Sequence, residues 1–493
     1  MENEPTEVSG GFAGRRSSRS QQAISPLRFA DDAPGFFGGD EPTQLERSRL
    51  RNRLQGPWIL IVGFALMVLA GTLLLKLPMA AAPGKTISWS DAFFTSTSAI
   101  TVTGLGVRNT AQDFSRIGQG ILLVLLQFGG VGFITSSVLL FRLIGRRVTL
   151  QTRFLVQQDV GSHIGSDVVR LALYVLAITA SFEVVGALLL WLRWRSAFPD
   201  SDALWFAIFQ SVSSYCNAGF DLFGATDQGA LYGFAADWYS LIVLGLLIVF
   251  GGFGVTILYD LWNVRTSHIL SVNTRFAVIM SVLLIVLGAA IVMSDPQLRQ
   301  AVAPNLAWHE RSAVSLFTSV SARTAGVTII PLETLSEISQ LSIMVLMFIG
   351  AAPASMAGGV SINTVAVLLT AAFSTTRGRN EAVVFGRTIP AESVGKAVAI
   401  MTVSTLLVTA STLLLDLIMP QAEIFAVGFE VISAFSNTGY SLNLTGKLND
   451  LGRLLIAFTM FWGRLGPLTI VVALAQREQP LLVRYPEEAV LLG

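Results

Sequence analysis

The sequence has 493 residues, 52% of them apolar and only 13% charged, with 44 glycines and a formal net charge of +1. That charged fraction is about half the share usual in soluble domains, which excludes a string of soluble domains and points to a polytopic membrane protein. A single cysteine, Cys216, excludes a disulfide framework or a cysteine-rich metal site within the chain.

Residues 1–54 are rich in Ser, Gly, Arg and acidic residues, lack apolar periodicity, and read as a disordered cytoplasmic tail. Arg47, Arg49, Arg51 and Arg53 close it as a basic topology signal before the first span. Apolar segments of spanning length then come in pairs, at 58–77 and 118–141, 171–192 and 239–259, 276–293 and 341–373, and 398–419 and 451–474. Inside each pair lies a shorter apolar run that leads into small residues and ends in glycine. These endings are Val102-Thr103-Gly104, Asn217-Ala218-Gly219, Thr324-Ala325-Gly326 and Asn437-Thr438-Gly439.

A run of about ten residues cannot cross a hydrocarbon core, which takes roughly twenty helical residues. It can form a re-entrant half-helix whose following backbone lines a wet cavity, where irregular backbone is tolerated at membrane depth. The predicted fold is therefore an all-α polytopic membrane protein. It has eight spans and four pseudo-symmetric units, 55–145, 146–262, 263–375 and 376–493, each of helix, pore loop and helix around one pore. Four loops turning carbonyls toward one axis form a cation filter. Glycine suits the loop because it leaves the carbonyls unobstructed and adopts backbone angles closed to other residues. The half-helices direct their negative C-terminal ends at the same point. Lys and Arg are in excess on the face shared by both termini, which places both termini in the cytoplasm and the loops outside.

The second span of each unit carries a further mark: Gly129-Gly130-Val131-Gly132, Gly251-Gly252-Phe253-Gly254 and Gly463-Arg464-Leu465-Gly466. In the third unit it is replaced by Gly350-Ala351-Ala352-Pro353-Ala354-Ser355-Met356-Ala357-Gly358-Gly359, a run of small residues around a proline that should break the span into two halves joined by a loop. Such a loop can plug the path below the filter. Arg464, inside an apolar helix, must find water or acceptors, and the carbonyls of that loop are the expected ones. Glu183, mid-span in the second unit, is a weaker intramembrane case, open between a functional role and a packed or protonated carboxyl bonded only to a neighbouring helix. Arg323, three residues before Gly326, should turn from the axis and brace backbone acceptors. Asp91 and Asp202 read as N-caps of their half-helices. His163, His268 and His309 are too scattered for a ligand set, and the absence of nucleotide-binding or acid/base spacings argues against an enzyme.

From about residue 58 to the C-terminus the chain resembles the Trk/Ktr/HKT superfamily of potassium-uptake proteins, and within it the Ktr-type membrane subunit. The resemblance rests on Thr101-Val102-Thr103-Gly104, Asn217-Ala218-Gly219-Phe220, Arg323-Thr324-Ala325-Gly326, Ser355-Met356-Ala357-Gly358-Gly359, Gly463-Arg464-Leu465-Gly466-Pro467-Leu468-Thr469 and Arg484-Tyr485-Pro486-Glu487-Glu488. Eight spans, without an extra leading pair, look like Ktr rather than Trk. The resemblance implies that Gly104, Gly219, Gly326 and Gly439 select potassium and that Gly350 to Gly359 is a gating loop with Arg464 as its electrostatic companion. It also implies a homodimer in membrane lipid, with a separate cytosolic ring of nucleotide-binding regulatory subunits beneath it and no nucleic acid partner. No cofactor is expected on this chain, with potassium as the transported ion and sodium as a candidate activator. One departure is Gly358-Gly359-Val360-Ser361-Ile362, where the family often continues Gly-Gly-Ile-Lys-Thr. Two alternatives stay open: sodium transport, disfavoured because Gly104 stands where sodium-selective relatives commonly have serine, and an alternating-access transporter with a midplane site.

Overall fold

The structure, a computed structural model, describes residues 61–131, 168–223, 235–267, 270–302, 306–353, 355–379 and 381–466. All of them belong to one compact unit, Arg51–Gly493. The expected tail at 1–54, the end of the first unit, Ala354 of the expected gate and the motif at 484–488 lie outside the described residues.

The first quarter contains α1 (Ile61–Leu75), α2 (Trp89–Ile100) and α3 (Arg116–Val131). Next come α4 (Val168–Trp194), α5 (Asp200–Tyr215) and α6 (Trp238–Ser267). The third quarter has α7 (Val272–Ser294), α8 (Trp308–Ser321), α9 (Glu337–Phe348) and α10 (Ile362–Thr376). The last has α11 (Ala391–Ile418), α12 (Ile424–Ser436) and α13 (Asp450–Leu465). Helices α2, α5, α8 and α12 have 12, 16, 14 and 13 residues. At 1.5 Å per residue they reach about 18–24 Å, short of the roughly 30 Å hydrocarbon thickness. Among the described residues three stretches, Leu173–Trp194, Val272–Ser294 and Ala391–Ile418, are long and apolar enough to cross a membrane, and a bent pair within α6 makes a fourth. Their outward faces carry large apolar side chains such as Val184, Val286 and Leu406, each more than half exposed, as a surface facing lipid requires.

One device docks the half-length helix on the first helix of its unit in three of the quarters. Ser96 donates to Val68 O at 2.7 Å, Ser211 to Glu183 O at 2.7 Å and Ser319 to Ile285 O at 2.8 Å. Three residues beyond each acceptor stands a glycine, Gly71, Gly186 or Gly288, whose missing Cβ is the space the serine hydroxyl occupies. In the last quarter Val431 takes the serine's place and packs with Leu415 and Val427 in an apolar cluster.

Three expectations need correction. The described chain is mostly helical but not all-α: Ala382–Val384 and Arg387–Ile389 form an antiparallel hairpin. Its two-residue turn has Phe385 at φ 50° and Gly386 at φ 73°, the pair of left-handed residues that matches strand twist. The second span of the second quarter is not continuous, because Gly254 adopts φ 70° and ψ 164° and bends it by 100°. Asp91 and Asp202 are not N-caps. Ser88 caps α2, with Asp91 three residues on in a reciprocal capping box. Pro199 precedes α5, and Asp202 in its first turn pairs with Arg116. Displaced from the cap, Asp91 is free to join quarters: it accepts from Arg108 Nε at 2.9 Å and from Arg453 Nη1, at the start of α13, also at 2.9 Å. Burial pushes its carboxyl up, but hydrogen bonds from Arg108 and Ser88 outweigh this and hold it below the ordinary value of 3.8.

Candidate functional site

The four half-length helices end a few residues before Gly104, Gly219, Gly326 and Gly439, and the four loops come together. Each loop turns through two left-handed residues. The first are Val102, Asn217, Thr324 and Asn437, at φ 57°, 56°, 81° and 54°, and the second are the glycines, at φ 87°, 69°, 65° and 94°. Between them sit Thr103, Ala218, Ala325 and Thr438, all fully buried. Asn tolerates this region, whereas β-branched Val102 and Thr324 are held there at a cost.

The glycines face one another in chain order and close a ring. A Cβ on Gly104 would strike the carbonyl oxygen of Ala218, one on Gly219 that of Ala325, one on Gly326 that of Thr438, and one on Gly439 that of Thr103. Every obstacle is backbone, so no side-chain rotation relieves it. The ring thus brings together four backbone carbonyls with the C-terminal ends of four helices, a concentration of negative dipole that favours a cation.

The loops are fixed from behind. Gly104 N donates to Ser98 Oγ and Gly439 N to Ser433 Oγ, both at 3.0 Å, while Gly326 N reaches Ser321 O at 3.0 Å. Ser213 and Ser321 turn their hydroxyls to the far side of the loop, onto Phe220 O and Val327 O. The Asn437 amide donates to Met460 O and Thr103 Oγ1, both at 2.9 Å, tying the fourth loop to α13 and to the first loop. The Asn217 amide, with its nitrogen turned inward, reaches Ile248 O of α6 at 3.2 Å.

Below the ring, the glycine marks of the second helices allow close approach. A Cβ on Gly129, Gly251 or Gly463 would overlap the carbonyl of Ile100, Tyr215 or Phe435, in each case the residue four before the loop glycine of the same quarter. In the third quarter the span breaks between α9 and α10. Gly350 N bonds Val360 O at 2.9 Å and Ile362 N bonds Ala351 O at 3.0 Å, so the two ends of the 350–359 loop are pinned together. Its body leans on the second quarter through Ala352 N to Gly252 O at 3.1 Å and Met356 N to Gly251 O at 3.4 Å. Gly358 lies against the Asn437 side chain and Gly359 against Ser436, directly behind the fourth loop. Pro353 is exposed, Ser355 and Ala357 are half-buried, and Met356 is buried.

Two guanidiniums hold this loop. Arg464 donates through Nη1 to Met356 O and through Nη2 to Gly129 O and, at 3.2 Å, Gly130 O, which joins the last, third and first quarters. Arg323 is 7% exposed and donates through Nη2 to Gly350 O at 3.3 Å. Its acceptor is backbone, as the sequence suggests, but belongs to the 350–359 loop instead of its own. Glu183 accepts from Gln127 of α3 at 3.1 Å and from the Cys216 thiol at 3.8 Å, a neighbouring-helix contact.

Sequence reasoning missed the bracing serines, although Ser98, Ser213 and Ser433 each stand six residues before a loop glycine and so carry a repeat signal. It also missed Glu430, fully buried on α12, which accepts from Ser441 at 2.7 Å and from Thr445 and so fastens the segment after Gly439 to its helix. No repeat marks Glu430, because the equivalent position in the second quarter is Gln210.

The TrkH family model, described as a cation transport protein, matches residues 61–485. Ktr system potassium uptake protein B of Vibrio alginolyticus is 33% identical over 447 residues, 90% of this chain and 96% of that protein. Potassium/sodium uptake protein NtpJ of Enterococcus hirae is 31% identical over 453 residues, 91% of this chain and 99% of that protein. Among solved structures, the potassium transporter TrkH from Vibrio parahaemolyticus superposes with a TM-score of 0.65 at 18% identity, covering 87% of this chain and 86% of that one.

Proposed function

The chain belongs to the TrkH family of cation transport proteins, of the Trk/Ktr type, and from that premise we propose that it takes up potassium through the ring of Gly104, Gly219, Gly326 and Gly439. The observation that supports the reading best is the ring closure: four left-handed glycines meet in chain order, each leaving room for the carbonyl of the next loop. A potassium ion shed of its water needs such a set of oxygens, and no buried carboxylate is required to neutralise it. The residues that supply ligands are Val102, Thr103, Asn217, Ala218, Thr324, Ala325, Asn437 and Thr438 together with the glycines. The architecture we assign is eight spans in four units with both termini in the cytoplasm, the protein acting as a transporter of the cytoplasmic membrane.

The loop from Gly350 to Gly359 is the gate, and Arg464 holds it shut. A cation beneath the ring also raises the energy of a second cation there. The working assembly is a homodimer, with nucleotide control supplied by a separate cytosolic subunit ring of the Ktr kind. The deciding experiment is growth of an uptake-deficient cell on limiting potassium, with and without sodium. Rescue that follows potassium supports the reading. Rescue only when sodium is present makes transport sodium-dependent, and no rescue by a membrane-inserted protein rejects it.

A further inference from the structure

The gate assignment uses Arg464, but the loop is held at two points, and the second is anchored in the ring itself. Arg323 stands just past Ala322, the C-cap of α8, and precedes Gly326 by three residues, so its backbone is part of the third ring loop. Its side chain leaves the ring, is almost wholly buried, and ends at Gly350 O. Gly350 is the neck of the 350–359 loop, where its N–H crosses to Val360 O. The carbonyl that Arg323 takes is therefore on the residue that has to reorient when the loop swings.

The surroundings allow Arg323 to let go. Its Nε has no hydrogen-bond partner, and neither has the hydroxyl of buried Ser281 on α7. Both residues line one crevice between α6, α7 and the loop, together with Ile248, Gly252 and Ala351. A guanidinium bound at one edge with an unused donor beside an open space can pivot without leaving a filled core.

We infer that Arg323 is a positioning residue that couples the ring to the gate: it latches Gly350 while the third loop is in its ring conformation, so displacement of either end loosens the other. This rests on the proposed ring and gate. The latch is distinct from Arg464, which grips the loop at Met356 and ties it to the first quarter.

The test measures rubidium flux in liposomes, normalised to inserted protein, for Arg323→Gln, a chain shortened within 351–357, and the two combined. Competition by potassium and by sodium is measured alongside. A lost charge-assisted bond should raise flux by about fivefold or more in the full-length chain. It should add little in the shortened chain, where Gly350 remains but the loop body that the latch holds in place has been cut away. Potassium should remain preferred over sodium. Arg323→Lys, which keeps a donor for Gly350 O, should restore most of the closed state, and Arg323→Met, which keeps the apolar stem but has no donor, decides on the same readouts if Arg323→Gln is not recovered from membranes. A purely structural arginine would lower flux and selectivity equally in both backgrounds, and that result overturns the latch. Shortening that fails to raise flux at all overturns the gate instead, so the two failures are told apart.

Discussion

Substituting Gly326 by serine isolates what the ring demands of one residue. The new Cβ would overlap Thr438 O, with Thr438 C at 2.8 Å and Gly439 Cα at 3.0 Å. All three atoms are backbone of the neighbouring loop, so relief requires that carbonyl to retreat by roughly 1.5 Å or more to reach ordinary contact. A second cost comes from φ +65°, which a side chain tolerates poorly, about 1–2 kcal/mol. If the displaced carbonyl faces the ion, its loss should cost about 1.5–3 kcal/mol, the worth of a polar contact to a charge. That corresponds to roughly a ten- to hundredfold loss of apparent potassium affinity. Gly84→Ala is the control, since Gly84 has φ +77° but nothing within 4 Å of its Cβ position. It carries the backbone cost without touching the ring and should leave affinity unchanged. Uptake over a potassium series in an uptake-deficient cell, with sodium competition, measures both. Unchanged affinity and sodium discrimination for Gly326→Ser, in protein that reaches the membrane, would refute the claim that this backbone binds the ion.

Shortening the loop within 351–357 should raise rubidium flux, Arg464→Ala should act in the same direction, and the combination should fall short of additivity because the two share one contact; additive effects would leave Arg464 with a structural role alone. Gly186→Ala places a Cβ on Ser211 Oγ and within 2.9 Å of Leu247 and should destabilise the protein by about 1–3 kcal/mol. Gly395→Ala on α11 meets nothing within 4 Å and should be neutral or stabilising by about 0.5–1 kcal/mol. Thermal unfolding in detergent separates the pair, and equal effects would reject the docking role of Gly186. Asp91 has a depressed carboxyl pKa, so its contribution is present above the unfolded value of about 3.9 and is lost as pH falls through the lower folded value. Asp91→Asn should lower stability at neutral pH and flatten the acid dependence below about pH 4. A variant with the same acid profile as the parent would show that the Arg108 and Arg453 pairs contribute nothing.

How much was legible in the sequence depends on whether a feature repeats. The glycines at 104, 219, 326 and 439 recur because each meets the same local demand, a left-handed turn beside a neighbouring carbonyl, so one quarter announces the others. The broken third span was legible for a similar reason: between Gly350 and the Gly358-Gly359 pair stands Pro353, and proline and glycine break a helix even among the alanines around them. Both are local properties of the chain, set by backbone angles and helix propensity.

What the sequence could not disclose is which groups from different quarters share a bond. Arg323 lies beside Gly326 in the chain, yet its acceptor is Gly350, and Arg464 reaches Gly129 and Gly130 more than three hundred positions away. The bend at Gly254 was hidden by an apolar pattern that reads as one span on either side of it. Asp91 reads locally as a cap, but packing brings Arg453 to it and Ser88 takes the cap instead. A buried charge or an unpaired carbonyl makes a partner necessary without naming it. The choice is made by distance, and distance between quarters exists only once the helices have packed.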